Sequence, residues 1–410
     1  MSVRGRETAG HRPGPTAEDG LLSRFPPHVL REYALIADGE RGALVGPRGD
    51  IAWMCAPQWH SDAVFAALVG GAGSYAVTPA DPHHVWGGYY EDESLIWRSR
   101  WITSGGVIEC REALAYPGGA GTAVLLRRIQ AIDIPARVRV RLDVRAGFGR
   151  HAMTHLKCGT VWTGRAGPLY LRWSGGQEAK VCPDGGLELE LTVALGDRHD
   201  FVLELSSQPL RADPVAAEET WRATEAAWAR ELPGFPGSLA PRASRHSYAV
   251  LAGLTSGSGA MVAAATTSLP EKAEVGRNYD YRYAWIRDQC YAGQAVAANG
   301  PHRLLDSAVS FVASRVLADG PGLKPAYTVS GEMVPDERTV PGLPGYPGGS
   351  AKVGNWVNKQ FQLDALGKRC CCSPRPPATT GSTAGTGRRP RPRSRRSSPA
   401  GTTAMPAYGS

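Results

Sequence analysis

Between Arg137 and Arg145 every second residue is apolar: Val138, Val140, Leu142 and Val144 alternate with Arg137, Arg139, Arg141, Asp143 and Arg145. Side chains leave a strand on alternating sides, so this run predicts a strand with one buried face and one charged face. Leu187, Leu189, Leu191 and Val193 repeat the pattern against Glu188, Glu190 and Thr192, and Phe201, Leu203 and Leu205 do so again. The segments Pro-Arg-Gly-Asp at 47–50 and Pro-Asp-Gly-Gly at 183–186 are turn chemistry between such runs. One strand cannot bury an apolar face alone. A series of them with short turns predicts a large antiparallel β-sandwich over residues 29–212.

The period then changes. Val215, Trp221 and Trp228 lie at helical spacing, Pro214 suits a first helical position, and Pro233-Gly234 ends the run. A linker helix is expected within 213–238. Further helices are expected at 243–254, 288–298, 302–317 and 354–366, with a small hairpin from Tyr327 to Met333 around Ser330-Gly331. The expected class is a multidomain β + α chain with a second, helical domain over 239–367. Past Gly367 the chain turns into Arg, Pro, Ser, Thr, Gly and Ala without periodicity, a composition that buries too little apolar area to offset its ordering entropy.

Charge and cysteine usage exclude some functions. Residues 368–410 hold nine Lys or Arg and no acidic residue, so the +8 of the whole chain falls to −1 for residues 1–367. The body therefore lacks the basic signature of a nucleic-acid binder. Cys55, Cys110, Cys158, Cys182 and Cys290 are scattered, Cys370, Cys371 and Cys372 sit together in the tail, and no C-x-x-C pair exists. Zinc and thioredoxin-type sites are not indicated, and a reducing compartment is. No apolar run approaches the roughly 18 residues that cross a bilayer. The start, residues 1–28, has no apolar stretch behind its few Arg and reads as a polar leader rather than a secretory signal. A cytoplasmic location is expected, with no cofactor, no metal and no membrane partner.

The segment Leu269 to Asp288, LPEKAEVGRNYDYRYAWIRD, sets Tyr279, Tyr281, Tyr283 and Trp285 beside Arg277, Asp280, Arg282, Arg287 and Asp288. Sugars are recognised by flat aromatic faces and by charged planar groups that bond to their hydroxyls. Arg only donates and ionised Asp only accepts, so an adjacent Arg287–Asp288 pair could clasp neighbouring hydroxyls of one ring. The same residues could equally form a buried aromatic cluster with an ordinary ion pair.

This segment resembles the signature of glycoside hydrolase family 15, the family of glucoamylases, glucodextranases and some bacterial trehalases. YALIADGERGALVGPRGDIAWMCAPQWHSDAVF (33–65), MVAAATTSLPE (261–271) and LPGYPGGSAKVGNWVNKQFQLDAL (343–366) resemble other stretches of that family in the same order. The resemblance implies an (α/α)6 glycosidase domain and inverting exo-hydrolysis of α-glucosides. In it Arg287 and Asp288 match the pair that binds the terminal glucose, Tyr281 and Trp285 match aromatic positions of the same subsite, and Lys352 and Asn355 fall in the pocket-loop motif. Gln58, Trp59, His60 and Ser61 stand where the family usually reads R-F-D-S, and Gln289-Cys290 replaces the usual small pair after the Arg-Asp.

The resemblance also implies an acid and a base, both Glu, set well C-terminal to the Arg-Asp pair and about 6.5–9.5 Å apart. The chain has no Asp or Glu after Asp364, and Glu332, Asp336 and Glu337 are expected to be solvated loop charges. Twelve helices need at least about 200 residues, whereas 240–367 offers 128. The expectation is a C-terminally truncated chain with an incomplete barrel and an out-of-frame tail over 368–410; a native disordered tail remains open. Its function is then that of a family 15-like exo-hydrolase of α-glucosides, inactive in this truncated chain, with a non-catalytic sugar-binding remnant or nucleic-acid contact through the Arg-rich 388–396 as the alternatives. Starch, dextran-like glucan and trehalose are not distinguished as the parent substrate.

Overall fold

The computed structural model describes residues 26–272 and 276–362, all within one compact unit. The expected leader over 1–28, apart from residues 26–28, lies outside the described residues, as do the end of the 354–366 helix, the tail and Cys370 to Cys372.

Two antiparallel sheets form the first part. One runs in the order Ala34–Ala37, Gly42–Val45, Asp50–Cys55, Ser74–Pro79, Ala136–Asp143, Leu187–Val193 and Lys180–Val181, with Ala63–Phe65 beside Asp50–Cys55. The other runs Met153–Cys158, Trp162–Ala166, Leu169–Ser174, Arg198–Ser206, Thr122–Ala131, Val107–Leu114, Trp97–Thr103 and His84–Tyr90. Ile51, Val77, Val138, Val140 and Leu142 of the first sheet share one buried cluster with Leu125, Ile129, Leu171, Trp173 and Leu203 of the second. The alternating residues picked out from the sequence are those that fill this layer. The register Val138↔Leu191, Val140↔Leu189 and Leu142↔Leu187 puts the two most regular runs side by side.

The supposed charged face is not simply exposed. Arg141 and Asp143 are buried, because the 183–186 turn folds over them. Arg141 Nη2 donates to Asp184 at 2.6 Å and Arg145 Nε donates to Asp143 at 3.0 Å. Arg198–Ser206 is likewise covered on its outer face. Val202 and Leu126 pack there against Trp221 and Trp228 of helix α1 (Ala217–Glu231), and Trp228 stacks on Tyr116 at 3.9 Å. Helix α1 starts at Ala217 with Ala216 as its cap, so Pro214 precedes the helix instead of opening it.

Helices α2 (Pro241–Leu254), α3 (Ile286–Ala297) and α4 (Arg303–Asp319) follow. Tyr248, Ala249, Cys290, Leu304, Phe311 and Val312 join the cluster that backs the second sheet. The hairpin forms as expected: Tyr327 bridges Met333, and Thr328 N donates to Glu332 O at 2.9 Å. The helix expected from 354 does not form. Lys352–Val353 pairs with Arg338–Thr339, and a single 3-10 turn, Trp356–Lys359, follows. Gly354 explains the break. It holds φ +76° with Asp336 O only 2.3 Å from where a Cβ would stand, so the chain turns there and only glycine fits. Among the described residues no helix is long and apolar enough to cross a membrane.

Candidate functional site

The signature segment folds as a strand, a short bridge and a helix. Arg277–Asp280 pairs with Thr267–Lys272, and Ala284–Trp285 pairs with Ala326–Tyr327. Trp285, extended at φ −82° and ψ 130°, caps α3, which puts Arg287 and Asp288 in its first turn. A carboxylate there is favoured by the amino-terminal end of the helix dipole.

Five of the six sequence candidates lie along one ladder. Lys352 Nζ stands 5.9 Å from the Tyr279 ring centre, Tyr279 is 6.1 Å from Tyr281, and Tyr281 is 5.3 Å from Trp285. Arg287 and Asp288 come after Trp285 and Ile286 in the chain, and the Arg287 charge acts on the Tyr281 hydroxyl. Arg287 Nε lies 3.4 Å from Asp288 Oδ2, with the side chains 38% and 37% exposed, so the pair is half in solvent and within reach of a ligand. Trp285 is buried beneath Tyr281 at 4% exposure. Burial, with the Tyr281 hydroxyl donating to Glu271, raises the Tyr281 pKa and keeps the phenol protonated.

The sixth candidate is placed differently. Asn355 is buried; its Nδ2 donates to Asp280 O at 3.2 Å and its backbone N donates to Pro335 O at 2.8 Å. Its amide fixes the loop. Lys352 Nζ pairs with Glu337 Oε1 at 3.3 Å, and Glu337 is only 16% exposed. Glu337 is therefore not the solvated charge expected from the sequence, because the Lys352 strand folds against it. Asp336, 58% exposed and 3.2 Å from Lys359, and Glu332 are the exposed ones.

Asp280 and Arg282 have a role that the sequence reading missed. Arg282 is 1% exposed. Its Nε donates to Asp280 Oδ1 at 2.8 Å, its Nη2 to Asp280 Oδ2 at 2.7 Å, and its Nη1 to Ser61 O at 2.7 Å and Trp59 O at 3.3 Å. Asp280 Oδ2 also accepts from Gly354 N at 3.0 Å. This one pair thus joins the signature strand, the 352–355 loop and the 59–61 loop of the first sheet. Burial opposes the guanidinium charge, but the Asp280 carboxylate more than offsets it and raises the Arg282 pKa well above its ordinary value. In the run Tyr279 to Tyr283 the charges Asp280 and Arg282 point inward, while Tyr279 and Tyr281 stay half exposed. The period-two placement was a usable signal; the assumption that charge faces water hid it.

The unusual residues have local explanations. Gln289 is buried, accepting from Met261 N at 2.7 Å and donating to Gly259 O at 3.0 Å, which ties α3 to the turn after α2. His60 packs beside Tyr283 at 6.3 Å, and burial, reinforced by the Arg282 charge, lowers its pKa from its ordinary 6.5. A neutral folded imidazole penalises folding once the unfolded chain takes up a proton. Stability is therefore expected to rise with pH through the region just below 6.5. Denaturation of His60→Asn across pH 5–7, set against the unsubstituted chain, should lack that step; an unchanged slope would overturn the assignment.

Cys55, Cys110 and Cys290 are buried, whereas Cys158 is exposed and Cys182 is intermediate. Among the described residues no group of three or more His, Cys, Asp or Glu could hold a metal. A cavity of about 490 Å³ opens by Phe235, Ser244, Tyr248, Leu251, Val296 and Asn299, and none of the six candidates lines it.

Residues 24–228, half of the chain, match the family described as trehalase-like, N-terminal, and residues 245–373 match glycosyl hydrolases family 15. A trehalase of Mycolicibacterium smegmatis is 28% identical over 397 residues, covering 86% of this chain and 57% of the relative. A trehalase of Mycobacterium tuberculosis is 28% identical over 389 residues, covering 85% of this chain and 55% of the relative. Trehalase 1 of Sulfolobus acidocaldarius is 40% identical over 132 residues, 30% of this chain and 23% of the relative. The chain thus spans little more than half the length of the mycobacterial relatives. A bacterial glucoamylase solved with acarbose shares the fold at TM-score 0.51 and 13% identity, over 79% of this chain and 55% of the other. With paired antiparallel sheets followed by helices, and both segments matched in order, the chain belongs to glycoside hydrolase family 15.

Proposed function

We propose that the chain supplies the glucose-binding part of a trehalase-type, inverting exo-hydrolase of α-glucosides. Residues 29–212 act as the sandwich domain, 213–238 as the linker and 239–367 as part of an (α/α)6 glycosidase domain. The observation that carries this reading is the half-exposed Arg287–Asp288 pair at the start of α3, beside the Tyr279–Tyr281–Trp285 ladder. The trehalases among the relatives favour trehalose over starch or dextran-like glucan. Arg287 donates to one ring hydroxyl, Asp288 accepts from its neighbour, and Tyr281 covers the apolar edge of the ring. Cys55, Cys110, Cys158 and Cys182, free thiols among the described residues, support a cytoplasmic setting.

In this reading the chain binds sugar but does not turn it over. Three carboxylates around the Tyr279–Tyr281 segment are engaged: Glu271 by the Tyr281 hydroxyl, Glu337 by Lys352 and Asp280 by Arg282. A general acid and a general base each contribute about 10²–10⁴-fold, so no useful rate is expected while these three stay engaged. Calorimetric titration with trehalose is expected to show binding that Arg287→Ala or Asp288→Ala weakens about 10- to 100-fold, the range for hydrogen bonds to charged groups. Binding that is indifferent to both substitutions refutes the clasp. Glucose release that disappears in Glu337→Gln would instead identify Glu337 as the acid and refute the absence of turnover.

A further inference from the structure

A crevice between the turn after His84–Tyr90 and the start of α2 takes no part in the site above. Its volume is about 230 Å³, room for roughly eight waters at liquid density or one hexose ring. Its back wall is rigid. The Tyr90 hydroxyl accepts from Leu35 N at 2.8 Å and donates to Leu35 O at 2.9 Å, and its ring meets Trp97 at 4.9 Å and His246 at 4.8 Å. Burial lowers the His246 pKa, so the imidazole facing the crevice is neutral at neutral pH. Tyr89, 45% exposed, offers a second aromatic surface.

The rim alternates in sign. Arg242 Nη2 lies 2.9 Å from Asp92 Oδ1, and Arg245 Nε lies 2.9 Å from Glu93 Oε1. The first pair is 81% and 74% exposed, and pairs that open contribute about 0–1 kcal/mol, so they exchange readily for a ligand. Arg245 Nε is shielded from solvent yet makes no hydrogen bond among the described residues, because its approach to Glu93 is misaligned. Such a buried donor calls for an acceptor. Glu93 sits at φ +62°, a left-handed conformation rare for a residue with a side chain. Glu91 is taken up by Arg98 and Arg111, which leaves the rim balanced at two carboxylates and two guanidiniums.

That balance selects the ligand. An anion meets Asp92 and Glu93, and a cation meets Arg242 and Arg245. A neutral polyol meets neither penalty, since each hydroxyl donates to a carboxylate and accepts from a guanidinium while Tyr89 and Tyr90 cover the apolar face of the ring. We infer that this crevice binds one ring of a neutral sugar, as a second carbohydrate site separate from Arg287 and Asp288.

Amide NMR of the full chain titrated with glucose, and then with trehalose, tests this. The expected result is a saturable shift of amides in 89–93 and 242–246 with a millimolar Kd, unchanged in Arg287→Ala. Tyr89→Ala and Arg242→Gln, both at exposed side chains, should weaken it at least tenfold while thermal unfolding stays the same. The two sites report through different amides, so failure at one is distinct from failure at the other. No shift in these segments up to about 100 mM sugar, shifts retained in both variants, or tighter binding of glucose 1-phosphate than of glucose would each overturn the inference.

Discussion

Arg282→Met is expected to lower the unfolding free energy by about 3–5 kcal/mol, the cost of stranding one partner of a buried ion pair. Methionine fills much of the volume but leaves Asp280 charged and enclosed, with the Ser61 and Trp59 carbonyls short of a donor. Much of the loss is the desolvated carboxylate rather than the pair itself. Asp280→Asn together with Arg282→Met should therefore be more stable than Arg282→Met alone, a coupling that a double-mutant cycle reads directly. Chemical denaturation supplies the free energies, and hydrogen exchange should show 277–285 and 352–355 loosening together. A loss below about 1 kcal/mol for Arg282→Met would mean that the pair does not hold the three segments in place.

A comparable loss, again about 3–5 kcal/mol, is expected for Arg127→Leu inside the sandwich. Arg127 and Glu112 are both fully buried. Arg127, on the second sheet, donates across the core to Tyr75 O at 2.8 Å and to Gly49 O at 2.6 Å on the first, while Ser99 Oγ donates to Glu112 at 2.8 Å. The guanidinium is thus a polar pin through an apolar layer. Burial already raises the Glu112 pKa with Arg127 present, and without it the carboxyl must ionise alone. The loss should therefore shrink as pH falls from 7 to 5 and the folded state takes up a proton at Glu112. A loss that is independent of pH would point to packing rather than charge.

The sheets were legible because their signal is local: Val138, Val140 and Leu142 alternate within one run and pair with Leu191, Leu189 and Leu187. The place of Arg287 and Asp288 in the first turn of α3 was legible for the same reason. The partners of Arg282 were not. Ser61 and Cys55 lie 221 and 227 residues away in sequence, and no local pattern announces a charge that is satisfied at that range. Glu337 was misread similarly, since its exposure depends on a strand at 352–353, a segment that carried no strand signal ahead of the helix expected from 354.

The Arg282 contact also bears on the order of events during synthesis. Its acceptors in the 59–61 loop belong to a sandwich whose last strand ends at Ser206. The ribosome adds about 5–20 residues per second, so roughly 4–15 s separate completion of that strand from the appearance of Arg282. Two-state β-domains close in milliseconds to seconds. The nascent sandwich can therefore present a finished socket before the guanidinium emerges, and the helical segment docks onto a template instead of searching for one.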